Sequence, residues 1–346
     1  MKKSLLALAV LTAVSGAASA QSSVTLYGKV DLGMVYDAGG SAGKSVRLAS
    51  GVTGGSRIGF KGVEDLGGGN KFSFQLETGY CADSAAAAPG GANFCTGGNN
   101  FMGRQAHGDL TGSFGALSAG RQYSLGFNNL ATIDPFGAGF AGQANNVNAA
   151  GVYLVDPSGI RLNNSVTYST PNMGGFTGSV EASFGEVAGN WQSGRETGAG
   201  VNYASGPAYA GVTFYDLGNA AGTGAAKKVL TFGGSYDFGV IKVHALGQKV
   251  SGTTALDIFN LMAGVTVPLG GGNLMASYVK HNDRTSADKD ANQIGIGYLY
   301  PLSKRTSLYT SFARIQNIHG AGILVGNATE GGTGNKAFNA GVVHNF

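Results

Sequence analysis

Along most of this chain apolar and polar residues alternate one by one. Val24, Leu26, Val30, Leu32, Met34 and Tyr36 occupy even positions, while Thr25, Lys29 and Asp31 occupy odd ones. The same split recurs in Phe72, Phe74, Leu76 and Tyr80 against Lys71, Ser73, Gln75 and Glu77, and in Phe176, Val180, Ala182 and Phe184 against Thr177, Ser179, Glu181 and Ser183. Further segments keep their apolar set on one parity at 162–168, 197–203, 208–214, 230–238, 241–245, 259–267, 274–278 and 294–300. A two-residue period is that of a strand with one greasy face and one wet face. With weaker segments near 56–63, 101–110, 115–123 and 306–315, and with the closing segment, the pattern predicts sixteen strands. The segment at 101–110 fits least well, because Arg104, His107 and Asp109 cannot share one face without a bulge.

The closing segment runs Phe338, Asn339, Ala340, Gly341, Val342, Val343, His344, Asn345, Phe346 and stops on its aromatic ring. Parity turns Phe338, Val342, His344 and Phe346 outward and predicts that this strand pairs with the first, beginning near Val24, to close a barrel. Short connections at 171–175, 204–207, 237–239, 269–272 and 301–305 alternate with long ones near 38–55, 81–100, 124–160, 187–194, 217–226, 282–290 and 316–335. Such alternation suits a transmembrane antiparallel barrel with short periplasmic turns and long outer loops. Tyr27, Tyr36, Tyr80, Tyr203, Tyr215, Tyr236, Tyr298 and Tyr300 lie at strand ends, where an aromatic girdle is expected. A soluble β-sandwich or β-solenoid would also alternate, but the strand number and the two chain ends favour the barrel. A barrel of sixteen strands encloses water, because its side chains no longer fill it.

At the other end Met1, Lys2 and Lys3 precede an apolar run and the small-residue triplet Ala18, Ser19, Ala20. This is the form of a cleaved export signal, shorter than the roughly 20 apolar residues of a spanning helix. Residues 1–20 are therefore expected to be removed, and 21–346 to form a single barrel domain. Glycine, 61 of 346 residues against only 7 prolines, is explained by many tight turns. Removing Lys2 and Lys3 from the 23 Lys plus Arg leaves 21 against 19 Asp plus Glu, too balanced for a nucleic-acid binder. Cys81 and Cys95, close together in an exported chain, predict a disulfide in preference to two thiols. Closing a loop of about 15 residues would contribute roughly 3 kcal/mol.

No chemistry of catalysis is legible. The histidines at 107, 244, 281, 319 and 344 lack metal spacing, there is no G-x-S-x-G elbow, and the glycine runs sit in turns rather than before helices. No metal or cofactor is expected. A receptor or adhesin barrel remains the alternative of a different class, and a substrate-specific channel the nearer one.

The segments SSVTLYGKVD (22–31), SRIGFKGVEDLGGG (56–69), LETG (76–79), GRQA (103–106), FGALSAGRQY (114–123) and RLNNSVTYSTP (161–171), with the closing His344, Asn345 and Phe346, resemble the general porins of β-proteobacteria. The resemblance implies a homotrimer of sixteen-stranded barrels in outer-membrane lipid and lipopolysaccharide, passing small hydrophilic solutes by diffusion, often with anion preference. It implies that the loop at 124–160 folds into the lumen as the constriction, with Asp134 at its tip facing the opposite wall. The bland alternative is an extracellular flap. The resemblance also implies that Arg57, Arg104 and Arg161 form a basic constriction cluster with Glu77 and Asp134 as partners, the alternative being mere wall ion pairs. Lys29, Lys61 and Lys71 share the lumen-facing parity of the early strands, opposed by Asp31, Glu181 and Glu196. His344 and Phe346 are read as a signal to the barrel-assembly machinery.

Overall fold

The computed structural model describes residues 23–41, 43–84, 101–218, 226–252, 256–329 and 331–346. The first strand, β1 (Ser23–Gly40), turns directly into β2 (Gly43–Ser50), and β3 (Arg57–Gly67) follows. The upper half of β1 pairs with β2 and the lower half with β3, so β2 and β3 are two halves of one stave, interrupted at 51–56. The long loop expected over 38–55 is therefore a tight turn followed by a strand. The interruption is built: Asp31 accepts the Thr53 backbone N–H at 2.7 Å and the Thr53 hydroxyl at 2.6 Å, Tyr309 donates to its other oxygen at 2.7 Å, and Gly51 takes a positive φ. Asp31 is thereby buried and occupied rather than lining the channel.

The ladder continues through β4 (Asn70–Gly79), β5 (Gln105–Gly112), β6 (Gly115–Tyr123), β7 (Arg161–Ser169), β8 (Phe176–Ser183), β9 (Glu196–Ser205) and β10 (Ala208–Leu217). It completes with β11 (Lys227–Asp237), β12 (Lys242–Gly252), β13 (Asp257–Leu269), β14 (Gly272–Asp283), β15 (Ala291–Pro301), β16 (Thr306–Asn317) and β17 (Lys336–Asn345). Every neighbouring pair is antiparallel. β17 returns to β1 in the register Lys29 to Asn345 through Ala38 to Lys336, closing a barrel of sixteen staves. Closure leaves no sheet edge, the condition for a sheet to stand in hydrocarbon. Among the described residues no helix is long and apolar enough to cross a membrane.

Parity decides inside from outside as the sequence predicted. Val24, Leu26, Phe60, Val180, Phe232, Ile294 and Phe338 are exposed, whereas Thr231, Gln248, Asn260, Gln293 and Asn339 are buried on the inner face. The hairpin from Leu269 to Gly272 shows the turn chemistry: Gly270 and Gly271 both have positive φ, the geometry whose twist matches a two-residue hairpin. Two of the expected girdle tyrosines face inward instead, and a third is held by the backbone of β1. Tyr27 and Tyr215 hydrogen-bond to Glu77 and Glu181 on the inner face, and Tyr80 donates to the Lys29 carbonyl. Tyr36, Tyr236 and Tyr300 do stand on the outer surface.

The strand expected over 101–110 is Gln105–Gly112, so Arg104 precedes it and escapes its parity. His107 and Asp109 then share the inner face, joined at 2.9 Å, and the register shift falls instead in β6 between Gly120 and Gln122. At the carboxyl end, Gly28 and Phe346 exchange backbone hydrogen bonds of 3.0 and 3.1 Å. The Phe346 ring covers Gly28, occupying the space of a Cβ. His344, exposed, meets the Thr306 hydroxyl at 2.9 Å.

Candidate functional site: the constriction

After β6 the chain leaves the wall. Ser124 caps a short helix, α1 (Leu125–Ile133), its hydroxyl accepting the Phe127 N–H at 3.0 Å. Glu181 on β8 accepts the Leu125 N–H at 3.2 Å, a carboxylate at a helix amino terminus, where the dipole favours it. The helix and the residues to 160 cross the lumen. Inward polar side chains of successive strands hold them there: His244 Nδ1 lies 2.7 Å from the Ile133 carbonyl, and Gln248 donates to the Asp156 carbonyl at 2.7 Å. Gln293 donates to the Gly142 and Gln143 carbonyls and accepts from Asn146, and Ser311 accepts the Ala141 N–H. At the far side Phe140 donates to the Val52 carbonyl at 2.7 Å, so the loop meets the interrupted stave. The loop is thus internal, not an outer flap.

Room for the loop comes from glycines in strand interiors. A Cβ on Gly264 would lie 2.7 Å from Pro135 Cγ, and one on Gly297 would lie 2.9 Å from Phe136 Cε1. A Cβ on Gly233 would lie 3.2 Å from Ile133 Cδ1 and one on Gly295 2.9 Å from Gly142 Cα, while one on Gly211 would meet Asn129. These inward positions on β10, β11, β13 and β15 form a track for the loop, a purpose distinct from turns.

The facing wall carries the charges. Lys29 on β1 lies directly opposite Arg57 on β3 in the sheet register. Arg57 Nε is 3.7 Å from Glu77, and Arg104 Nε donates to the other oxygen of Glu77 at 2.7 Å. The Tyr123 hydroxyl accepts from Arg104 at 2.6 Å and from Arg161 at 2.8 Å. The Arg161 guanidinium sits 4.5 Å from the Tyr123 ring centroid, and that ring stacks at 4.9 Å on Phe127 of α1. The result is one chain of contacts from β1 to β7 holding Lys29, Arg57, Arg104 and Arg161 with a single carboxylate, Glu77. With the buried Asp31 carboxylate also acting on Lys29, four cations and two anions leave a formal charge of +2 here. Arg161 forms no ion pair among the described residues, and its buried Nε meets no protein acceptor.

Asp134 does not face this wall. Its carboxylate turns back into its own loop and accepts the N–H groups of Phe136, Ala138 and Ala144 at 3.0 to 3.1 Å. Burial pushes this carboxyl up to about 6, against the pull of those donors. The loop's other carboxylate, Asp156, pairs with Lys227. Glu181, buried, is likewise occupied by Thr167, Tyr215 and the helix N–H. Lys61 lies over the Tyr27 ring at 5.3 Å, and Lys71 sits one residue from the turn joining β3 and β4, so both lie toward the short-turn mouth. Cys95 lies outside the described residues, and with it the disulfide expected with Cys81; so does the export signal at 1–20.

Tyr123 ends the segment FGALSAGRQY, in which periodicity assigns it no role. A tyrosine between two arginine-bearing segments, at the start of the long loop, was the available signal. His244, His281, Gln248 and Gln293 were visible only as polar residues on the inner parity. Ser118 donates to Asp109, as His107 also contacts it, so the hydroxyl meets a carboxylate rather than an imidazole and no nucleophile is activated. Among the described residues no group of side chains is arranged to hold a metal.

Known proteins agree with this architecture. A family profile described as Gram-negative porin matches residues 7–320. Outer membrane porin protein 32 of Delftia acidovorans is 36% identical, with all of both chains aligned. An outer membrane porin of Bordetella pertussis is 32% identical over 94% of this chain and 99% of its own. The structure of an anion-selective porin from Comamonas acidovorans superposes with a TM-score of 0.76 at 30% identity, covering 94% of this chain and 100% of that one. With a closed sixteen-stave barrel, an internal loop and matches along almost its whole length, the chain belongs to the Gram-negative porin family, channels of the outer membrane rather than enzymes.

Proposed function

We propose that the protein is a general diffusion porin whose constriction favours anions. The observation that carries this reading is the imbalance across the narrowest section: four cations with two carboxylates, Glu77 and the buried Asp31, on the wall, facing a loop whose two carboxylates are both occupied. Low-dielectric walls focus such a field, so anions concentrate and cations are held back.

On this reading Arg57, Arg104, Arg161 and Lys29 set the selectivity, Glu77 and Tyr123 bridge the guanidinium groups, and Asp134 keeps the loop in shape. Lys61 and Lys71 line the approach from the periplasm. The working unit is a homotrimer in outer-membrane lipid with lipopolysaccharide beside it. Residues 1–20 are the export signal, and His344 with Phe346 presents the end of the barrel to the assembly machinery. The test is a planar bilayer with a salt gradient. Conductance steps in threes and a reversal potential of anionic sign are expected; a cationic sign would defeat the reading.

A further inference from the structure

Between α1 and strands β7 to β10 the lumen wall opens into a side recess of about 330 Å³. The helix starts against the inward row Thr167, Glu181, Gly198 and Tyr215, which follow one another across these four strands in the sheet register. One row nearer the short turns come Ser169, Ser179, Gly200 and Thr213, and after them Thr177, Asn202 and Gly211. These two rows are the back of the recess. Gly200 contributes no side chain to it, and a Cβ on Gly211 would meet Asn129, so the second glycine lets α1 approach the wall. Tyr209, near the start of β10, donates to the Asn129 side-chain oxygen at 3.0 Å and ties the helix there.

None of the residues lining the recess is charged, although it lies beside a strongly basic constriction. Thr177 and Asn202 stand directly opposite each other across the β8–β9 pair and, like Asn128 on α1, make no side-chain hydrogen bond among the described residues. The Ser169 and Ser179 hydroxyls share one hydrogen bond of 2.8 Å, which leaves one O–H uncommitted. Amides and hydroxyls both donate and accept, as the hydroxyls of a polyol do. An ion entering here would give up hydration without gaining a counter-charge. An apolar solute would cover these groups without pairing them. Leu125 and Tyr209 add apolar surface, the usual complement to a few placed polar groups. The volume is at the low end of the roughly 300–1,000 Å³ of small-molecule sites, enough for a single ring.

We propose that this recess is a binding site for uncharged polyhydroxylated solutes the size of one sugar ring, separate from the basic wall that acts on anions. It opens on the diffusion path, so its hold must be weak enough for release. The proposal rests on the loop lying inside the channel and not on the sign of the selectivity. It is tested on full-length mature protein refolded in detergent, by saturation-transfer NMR with glucose, 1,4-cyclohexanediol and gluconate. Glucose should receive saturation from the wild type and reach half-saturation in the millimolar range. Cyclohexanediol, a ring of the same size with two hydroxyls, should bind about tenfold more weakly. Thr177→Val with Asn202→Leu, near in shape and without the polar groups, should raise the half-saturating glucose concentration about tenfold. If that variant does not fold, Asn128→Ala, at an exposed position of α1, should raise it about threefold. Gluconate, drawn to the basic wall, should bind wild type and variants alike. No transfer to glucose, equal glucose affinity in wild type and variant, or equal binding of glucose and cyclohexanediol overturns the proposal. Variant-sensitive glucose binding by a protein that does not bind gluconate supports the recess and counts only against the anionic constriction.

Discussion

Arg161→Gln removes the constriction charge that no carboxylate offsets, while the amide retains a donor for the Tyr123 hydroxyl. A monovalent ion passing about 6 Å from that guanidinium interacts with it by about 0.7 kcal/mol in water. At 0.1 M salt, with a Debye length of about 10 Å, about 0.4 kcal/mol remains. The same term has the opposite sign for a cation, so the anion-to-cation permeability ratio should fall about three- to fourfold. At 1 M salt, where the Debye length is about 3 Å, the fall should shrink to about 1.4-fold. Reversal potentials in bilayers, taken under equal concentration ratios centred on the two ionic strengths, read this directly. Arg314→Gln, which removes a charge from the outer face, is the control and should leave the ratio alone. No change for Arg161→Gln at 0.1 M, or a change of the same size at 1 M, would refute the argument that an uncompensated wall charge sets selectivity.

Three other outcomes follow from the geometry. Gly264→Val should force Pro135 out of its seat and move the loop, seen as an altered single-channel conductance with the barrel still folded. Asp134→Ala strips three backbone N–H groups of their acceptor; at about 1.5–3 kcal/mol for a hydrogen bond to a charged group, the loop should loosen and open-channel noise rise. Gly28→Leu should displace the Phe346 ring and lower assembly yield before it changes conductance, as should deletion of Phe346; normal outer-membrane levels of both proteins would remove any special role for the terminal ring.

Sequence alone determined the barrel, because a two-residue period means half-buried strands, because their number and the two chain ends favour a closed sheet in a membrane over a sandwich or solenoid, and because inside and outside follow from parity strand by strand. It also determined which strands meet at the seam, since a closed sheet must join its last strand to its first. That Arg57, Glu77 and Arg161 face the lumen was legible from the same parity, while their grouping at a constriction came from the family resemblance. Only the tertiary structure decided what depends on distances between strands remote in sequence. Asp134 reads as a lumen charge until its own loop folds back on it, and Tyr27 and Tyr215 read as girdle residues until parity is anchored by their carboxylate partners. Arg104 belongs to no strand face, so periodicity could not orient it. The glycines of β10, β11, β13 and β15 look like weak points in strands, and only the loop packed against them shows that the missing side chains are what lets the constriction exist.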